Sequence, residues 1–352
     1  MTTISDVARL TGLSRATVSR ALAGASGVSA LTRARVNDAS AMLGYRPNRI
    51  AQSLRQRTTG MVGMVVPNLN NPFFPAVVKG VEEALHDSGM GLLLCDAGED
   101  VHTEMQRILA LLDRRVDGLL ISPVDSLDSV RALQQAAAAS VVVQVDRRVA
   151  VPTDSVTVDQ ERGMSALLRY LVEVEQRRTF AFVTSAERIS TGAERLAAYR
   201  RSMADVDPPS SERVLAGDFS VQWGLHAGAR LVEAGRLPDA IVCANDLIAA
   251  GVLQSLRARG VRVPAEVAVS GYDDTFLAVV TDPPLTSVRQ PLDQLGREAV
   301  AMLRAGIASP GVARRELCLA PQLVVRESTG HRLQPGVYGV AALDPGRLEL
   351  LG

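Results

Sequence analysis

From Met61 onward, short apolar runs alternate with amphipathic stretches of 12–18 residues, and this alternation restricts the larger part of the chain to α/β architecture. Met61–Val66, Gly91–Cys95, Asp117–Ile121 and Val141–Val145 make one series of runs. Thr179–Val183, Arg213–Ala216, Ala240–Ala244 and Val267–Gly271 make a second. Stretches such as Phe74–Ser88 and Thr103–Arg114 lie between them and read as helices. A strand that is a continuous apolar run is buried on both faces, and regular strand–helix alternation builds parallel sheets covered by helices on each side. Two series predict two doubly wound parallel-sheet lobes, with a cleft at the carboxyl ends of the strands.

The first 60 residues obey a different rule. They hold nine Arg against two Asp, a formal charge of +7 in a chain that is neutral as a whole. The remaining 292 residues, with 29 cationic and 36 anionic side chains, carry −7. A basic head on an acidic body predicts a polyanion-binding module attached to a part with another task. The total of 352 residues leaves room for two or three domains.

Within the head, Thr3 is a suitable N-cap and Asp6 adds negative charge to the first turn. Ile4, Val7, Ala8 and Thr11 then share one helical face, and Gly12 supplies the positive φ that ends the helix. Ser14 caps a second helix of about eight residues. Arg15, Ala16, Ser19 and Arg20 occupy one side of it, and Thr17, Val18, Ala21 and Leu22 the other. The first side is free to enter a major groove, where Arg reaches guanine bidentately and Ser holds a phosphate. A third helix, roughly Thr32 to Leu43, offers Val36, Ala39 and Leu43 to the same small core, leaving Arg33, Arg35 and Arg46 for the DNA backbone.

Cys95, Cys243 and Cys318 lie far apart in apolar runs and read as buried thiols of a reducing cytosol. No 18-residue apolar stretch can span a membrane, and no cationic-apolar signal segment opens the chain, so a cytoplasmic, nucleoid-associated protein is expected.

The Ser14-x-x-Thr17-Val18-Ser19-Arg20 string and the Leu43-Gly44-Tyr45-Arg46-Pro47-Asn48 string occur together. In this the chain resembles the lactose/galactose repressor (LacI/GalR) family, over about residues 1–330. The resemblance implies an all-α helix-turn-helix head over residues 1–47, with Arg15, Ala16, Thr17, Ser19 and Arg20 as DNA contacts. It implies a hinge helix and linker over residues 48–60, bearing on DNA through Asn48, Ala51 and Leu54. Ala51 would sit at the contact of two hinge helices and Leu54 would wedge into the minor groove. Eight residues are too few for a stable isolated helix, so the hinge is expected to order only when two copies meet on DNA.

The same resemblance implies that residues 61–330 form an effector-binding and dimerisation domain of the type I periplasmic-binding-protein fold, with lobe crossovers near 160, 289 and 320. Residues 331–352 extend past the family's usual end, and their Pro and Gly content favours a loose tail that docks locally at most. Residues that follow strand ends, read with the family's motifs, give a candidate ligand-binding set: Phe73, Phe74, Asp146, Arg195, Phe219, Asn245, Asp273 and Gln290. Aromatic rings there stack on apolar ring faces, and carboxylates, amides and Arg take hydroxyls. Asp246 and Asp274 are set aside as helix caps, and Trp223 as core. Arg147 and Ile189 stand where the purine-responsive branch has an aromatic and an Arg, which favours a sugar or polyol. Glu175-Gln176 replaces a usual Gly-His, and Ala30-Leu31 a usual acidic pair.

These readings converge on a sequence-specific transcriptional repressor. A homodimer would read an approximately palindromic operator under control of a small-molecule effector. A cytoplasmic solute-binding protein without a regulatory role is the alternative, and the +7 head counts against it. No catalytic residues, metal or cofactor are expected: His86, His102, His226 and His331 lack nucleophile settings and metal-ligand spacing, and phosphate-binding Gly-rich loops are absent.

Overall fold

A computed structural model of the protein describes residues 2–22, 27–45, 58–204, 213–309, 311 and 313–330, and the backbone of 342–343. The chain divides into two compact units, Met1–Gly60 and Met61–Gly352.

In the first unit α1 (Ile4–Thr11), α2 (Arg15–Leu22) and α3 (Ala30–Met42) enclose a core of Val7, Ala8, Val18, Ala21, Val36 and Ala39. Gly12 takes φ +64°, the left-handed conformation that closes α1 at little cost to glycine. The third helix starts two residues before the predicted Thr32, because Ser29 is its cap and accepts from the Thr32 N–H at 3.2 Å.

The second unit has two lobes. Lobe 1 contains β1 (Met61–Val66), α4 (Phe73–Asp87), β2 (Gly91–Asp96), α5 (Val101–Asp113), β3 (Gly118–Ile121), α6 (Val130–Ala139), β4 (Val141–Val145) and β5 (Asp154–Val158). It is completed by α12 (Leu292–Ala308) and β11 (Glu316–Leu319), giving a six-stranded sheet in the order β11-β5-β4-β3-β1-β2, parallel throughout. Apolar layers cover both faces, one centred on Phe74, Leu120 and Leu295, the other on Ile108, Leu119 and Leu133.

Lobe 2 contains α7 (Gln160–Arg169), β6 (Phe180–Ser185), α8 (Ser190–Ala204), β7 (Arg213–Gly217), α9 (Val221–Glu233), β8 (Ala240–Cys243), α10 (Asp246–Ala258), β9 (Ala268–Asp273), α11 (Phe276–Val280) and β10 (Thr286–Arg289). With β12 (Gln322–Val324) and β13 (Ala342–Leu343) its sheet runs β13-β12-β10-β9-β8-β6-β7. The β12 pairings are antiparallel and the others parallel. The two-residue β13 therefore places part of the tail on a sheet edge.

The chain passes from the first sheet to the second between Val158 and Gln160, returns between Arg289 and Leu292, and crosses again between Leu319 and Gln322. Helices α9 and α10 meet through glycines: a Cβ on Gly224 would stand 2.1 Å from the Ile248 carbonyl oxygen, and one on Gly251 2.1 Å from that of Val221. Any side chain there forces the helices apart.

Several expected elements have different bounds, and five strands lie outside the two expected series: β5, β10, β11, β12 and β13. The Glu175-Gln176 turn before β6 holds Gln176 at φ +55°, and the Glu175 carboxylate accepts from the Tyr170 hydroxyl at 2.5 Å. None of the described helices is long and apolar enough to cross a membrane.

Candidate DNA-binding head and interlobe cleft

Asp6 accepts from both the backbone N–H and the hydroxyl of Thr3, at 2.9 and 2.8 Å, and pairs with Arg9, so α1 starts at a fixed point. Ser14 Oγ accepts from the Thr17 N–H at 3.1 Å and lies 2.8 Å from the Thr17 hydroxyl. That cap sets where α2 begins, and burial of Val18 and Ala21 sets its rotation. Arg15, Ala16 and Arg20 are consequently exposed, and Thr17 and Ser19 are half-buried at the edge of the same surface. Arg35 is exposed on α3 and Arg33 is half-buried. Arg46, Asn48, Ala51 and Leu54, with the rest of the hinge, lie outside the described residues.

The cleft is assembled by strand ends and helix starts from both lobes. Asn71, Phe73, Phe74, Asp146 and Arg147 of lobe 1 face Thr191, Arg195, Phe219, Asn245 and Asp273 of lobe 2 around one narrow cavity. Seven of the eight candidates thus line one cavity. Gln290 stands behind it, its amide donating to Asp273 Oδ1 at 2.6 Å.

Phe73 and Phe74 are both buried and meet edge to face, with ring centroids 5.1 Å apart. Each belongs to the lobe 1 core as well as to the cavity wall. Phe219 faces them from lobe 2, beneath the guanidinium groups of Arg147 and Arg195 at 5.9 and 6.0 Å. Trp223 is not on the wall. Its indole donates to the Thr184 carbonyl at 3.1 Å.

Arg195 is the hub of the polar set. Its Nε donates to Gln160 Oε1 at 2.8 Å, one terminal nitrogen to the Ala244 carbonyl at 2.6 Å, and the other to Asp273 Oδ1 at 3.2 Å. Its plane lies 3.8 Å from the centre of the Tyr272 ring. Asn245 caps α10, accepting from the Ile248 N–H at 2.9 Å.

Asp246 and Asp274 do not cap helices. Asp246 is buried and accepts from the N–H and hydroxyl of Thr275 and from the Ser287 hydroxyl, which ties the loop after β9 to β10. Asp274 takes Arg289 and Arg326, each at 2.6 Å. Both brace the wall that carries Asp273.

Burial sets the electrostatics. It raises the Asp146 carboxyl to about 7, against the lowering pull of Arg147 and Arg195 and with Asp273 and Glu194 adding to the rise. Burial likewise raises Asp273, and Arg195 beside it opposes the shift. The same cause lifts Asp246 to about 8. Asp146, Asp273 and Asp274 all have left-handed φ values, +66°, +99° and +52°. Such backbone is costly for residues other than glycine and collects at sites where side chains must be aimed.

Two buried polar atoms of the cavity wall, Asp146 Oδ1 and Arg147 Nε, have no hydrogen-bond partner among the described residues, nor do Gln160 Nε2 and Gln290 Oε1 on the residues that hold Arg195 and Asp273. Buried polar atoms are seldom left so. Arg147, Asn71, Thr191 and Gln160 were not among the candidates from sequence. The signal for Arg147 was its position directly after Asp146 at a strand end.

At one edge of the cleft the lobes touch. The Ser126 N–H donates to the Arg188 carbonyl at 2.7 Å, and Arg188 pairs with Asp125 at 2.6 Å and with Asp128. The Arg148 N–H donates to Ser190 Oγ at 3.2 Å, and its guanidinium lies 3.3 Å from Glu194. Among the described residues no group of three or more His, Cys, Asp or Glu is placed to hold a metal ion.

Comparison with known proteins gives this geometry relatives. Residues 3–48 match the bacterial regulatory proteins of the lacI family, and residues 168–329 match a periplasmic binding protein-like domain. The HTH-type transcriptional regulator DegA of Bacillus subtilis is 30% identical over 333 residues, covering 93% of this chain and 98% of its own. The HTH-type transcriptional repressor PurR of Photobacterium profundum is 31% identical over 331 residues with the same coverage. A complex of the transcriptional regulator CelR with cellobiose is 33% identical, covers 93% of this chain and 100% of its own, and has a TM-score of 0.70. A Lac repressor dimer bound to operator and the anti-inducer ONPF is 28% identical, covers 93% and 99%, and has a TM-score of 0.84. The chain belongs to the LacI family of bacterial transcription regulators.

Proposed function

We propose that the protein is an operator-specific repressor, that Arg15, Ala16, Thr17, Ser19 and Arg20 meet DNA, and that the interlobe cleft holds its effector. The observation that carries this is the pair of unpartnered buried polar atoms, Asp146 Oδ1 and Arg147 Nε, on a cavity walled by Phe73, Phe74 and Phe219, in a chain whose other unit exposes Arg15 and Arg20. An effector with hydroxyl groups supplies donors and acceptors to those atoms while its apolar face lies on the rings. The CelR relative was solved with a sugar, cellobiose, which is in keeping with this chemistry.

Two copies are needed for two half-sites. α11 exposes Phe276, Val279 and Val280 at 64%, 62% and 67%, an apolar face suited to a twofold contact between identical chains. The hinge then pairs its two copies through Ala51 and inserts Leu54 into the minor groove. Effector bound across both lobes changes their relative setting and with it the pairing of the hinges, which couples the two sites. The protein works in the cytoplasm as a regulator without catalysis, and Asp273 is a partner for Arg195 rather than an acid or base. DNase footprinting on a palindromic site with and without candidate sugars tests the reading. Protection of both half-sites, relieved or strengthened by an effector, is expected, and protection without any sequence preference would falsify it.

A further inference from the structure

The two arginines of the cleft differ in what they have left to offer. Arg195 spends its guanidinium on Gln160, the Ala244 carbonyl and Asp273, with Tyr272 beneath it. Asp273 is met in turn by Arg195 and Gln290. That network is closed before any ligand arrives.

Arg147 is only 4% exposed, and among the described residues its guanidinium makes no hydrogen bond or ion pair with a protein group. It lies against two ring faces instead, 5.5 Å from the centre of Phe74 and 5.9 Å from that of Phe219. A cation buried in this way is costly unless an anion completes it. The adjacent Asp146 does not form that pair, and its Oδ1 is itself without a donor. Burial raises the Asp146 carboxyl to about 7, so near neutral pH it cancels the Arg147 charge only in part.

The remaining orphan of the wall specifies the rest of the ligand. Asp146 Oδ1, on the cavity wall, needs a donor, whereas Gln160 and Gln290 stand behind the wall and hold Arg195 and Asp273. A hydroxyl group supplies that donor. We propose that the effector is a hydroxy acid, whose carboxylate pairs with Arg147 while a hydroxyl meets Asp146. The planar fork of arginine fits a carboxylate through two parallel hydrogen bonds, and the aromatic walls leave the carbon skeleton an apolar seat. This assignment rests on the cleft being the effector site.

The test uses the full chain with D-glucuronate, D-galacturonate and D-gluconate beside D-glucose, D-galactose and D-glucitol, read by thermal shift and titration calorimetry. At least one acid is expected to bind roughly 10- to 100-fold more tightly than its neutral counterpart. Arg147→Gln is expected to bring the acid down to the neutral level, and Arg147→Lys, which keeps the charge without the fork, to retain part of the preference. An anion beside Asp146 makes that carboxyl hold its proton. Acid binding near pH 7 should therefore take up protons, seen as a buffer-dependent enthalpy, and Asp146→Asn should abolish the uptake.

The proposal is overturned if a neutral sugar binds as tightly as its acid, if Arg147→Gln keeps the preference, or if none of the acids binds. It is equally overturned if D-glucose 6-phosphate binds and the carboxylates do not. An operator footprint with silent acids overturns this ligand class and leaves the repressor reading standing. Acid binding without a palindromic footprint does the reverse.

Discussion

In the head, Arg15, Ala16 and Arg20 stand exposed on α2 while Val18 and Ala21 hold that helix to its neighbours. In the cleft, Arg195, Asp273, Gln160 and Gln290 are all buried, and each is the partner of another. On the proposed reading the head separates folding from recognition by helix face, so its surface can change without touching the core. The cleft joins them, since residues that line it also hold its wall together. Substitutions are expected to act locally in the first region and to spread in the second.

The largest expected effect is at the hub. Arg195→Ala leaves Asp273 buried without its cation and Gln160 without its donor, a loss of about 3–5 kcal/mol in stability together with the loss of effector response. Thermal melting and effector-dependent operator release measure the two. Exchanging Asp273 for Asn in the Arg195→Ala background should recover part of the stability, because the stranded charge goes with it. If the double variant is the sum of two independent losses, the cleft is no more networked than the head.

Acid pH separates the regions next. Asp146 sits at about 7 in the folded protein, against about 3.9 in an unfolded chain, so the folded state holds the proton more tightly. The stability due to that proton is complete below about pH 4 and is lost as pH rises through about 7, up to about 4 kcal/mol in all. Asp246, at about 8, extends the same trend. Asp146→Asn should flatten the decline of melting temperature between pH 4 and 7. A variant that follows the wild-type curve would contradict the burial argument.

What was legible in the sequence follows the same division. The head could be read almost to the residue, because caps and apolar spacing act within a few positions. β1 and β4 likewise end where their apolar runs end, being covered on both faces. The sequences of β5 (DSVTV) and β10 (TSVR) give no such signal, since their buried valines alternate with polar residues that make long-range bonds. Asp154 holds the backbone and side chain of Arg315, at 3.0 and 2.9 Å, and Thr286 Oγ1 donates to the Arg326 carbonyl at 3.0 Å. In the sequence Arg147 is only a departure from an aromatic position. The fold shows that it lines the cavity, its Nε without a partner among the described residues.

A moderate effect is expected on the exposed face of α2. Arg20→Ala should cost about 1–3 kcal/mol of operator affinity and relax preference at one base pair, with little change in melting. Binding measured over a set of single-base operator variants checks this. Uniform weakening across the set would make Arg20 a phosphate contact instead.

The smallest expected effect joins fold and recognition within the head. Ser14 does not reach the recognition face with its hydroxyl, because that group accepts from the Thr17 N–H at 3.1 Å and so fixes the first turn of α2. Removing it in Ser14→Ala leaves that N–H without its cap, at about 1 kcal/mol, and lets the turn fray. Ser14→Gly should cost only a few tenths of that, as glycine tolerates the cap conformation. Both variants should weaken all operator sequences alike, since Arg15 and Arg20 keep their chemistry and lose only their rigid platform. A change in base preference on Ser14→Ala would show that the cap aims the arginines as well as supporting them, and that the head is less divided than its helix faces suggest.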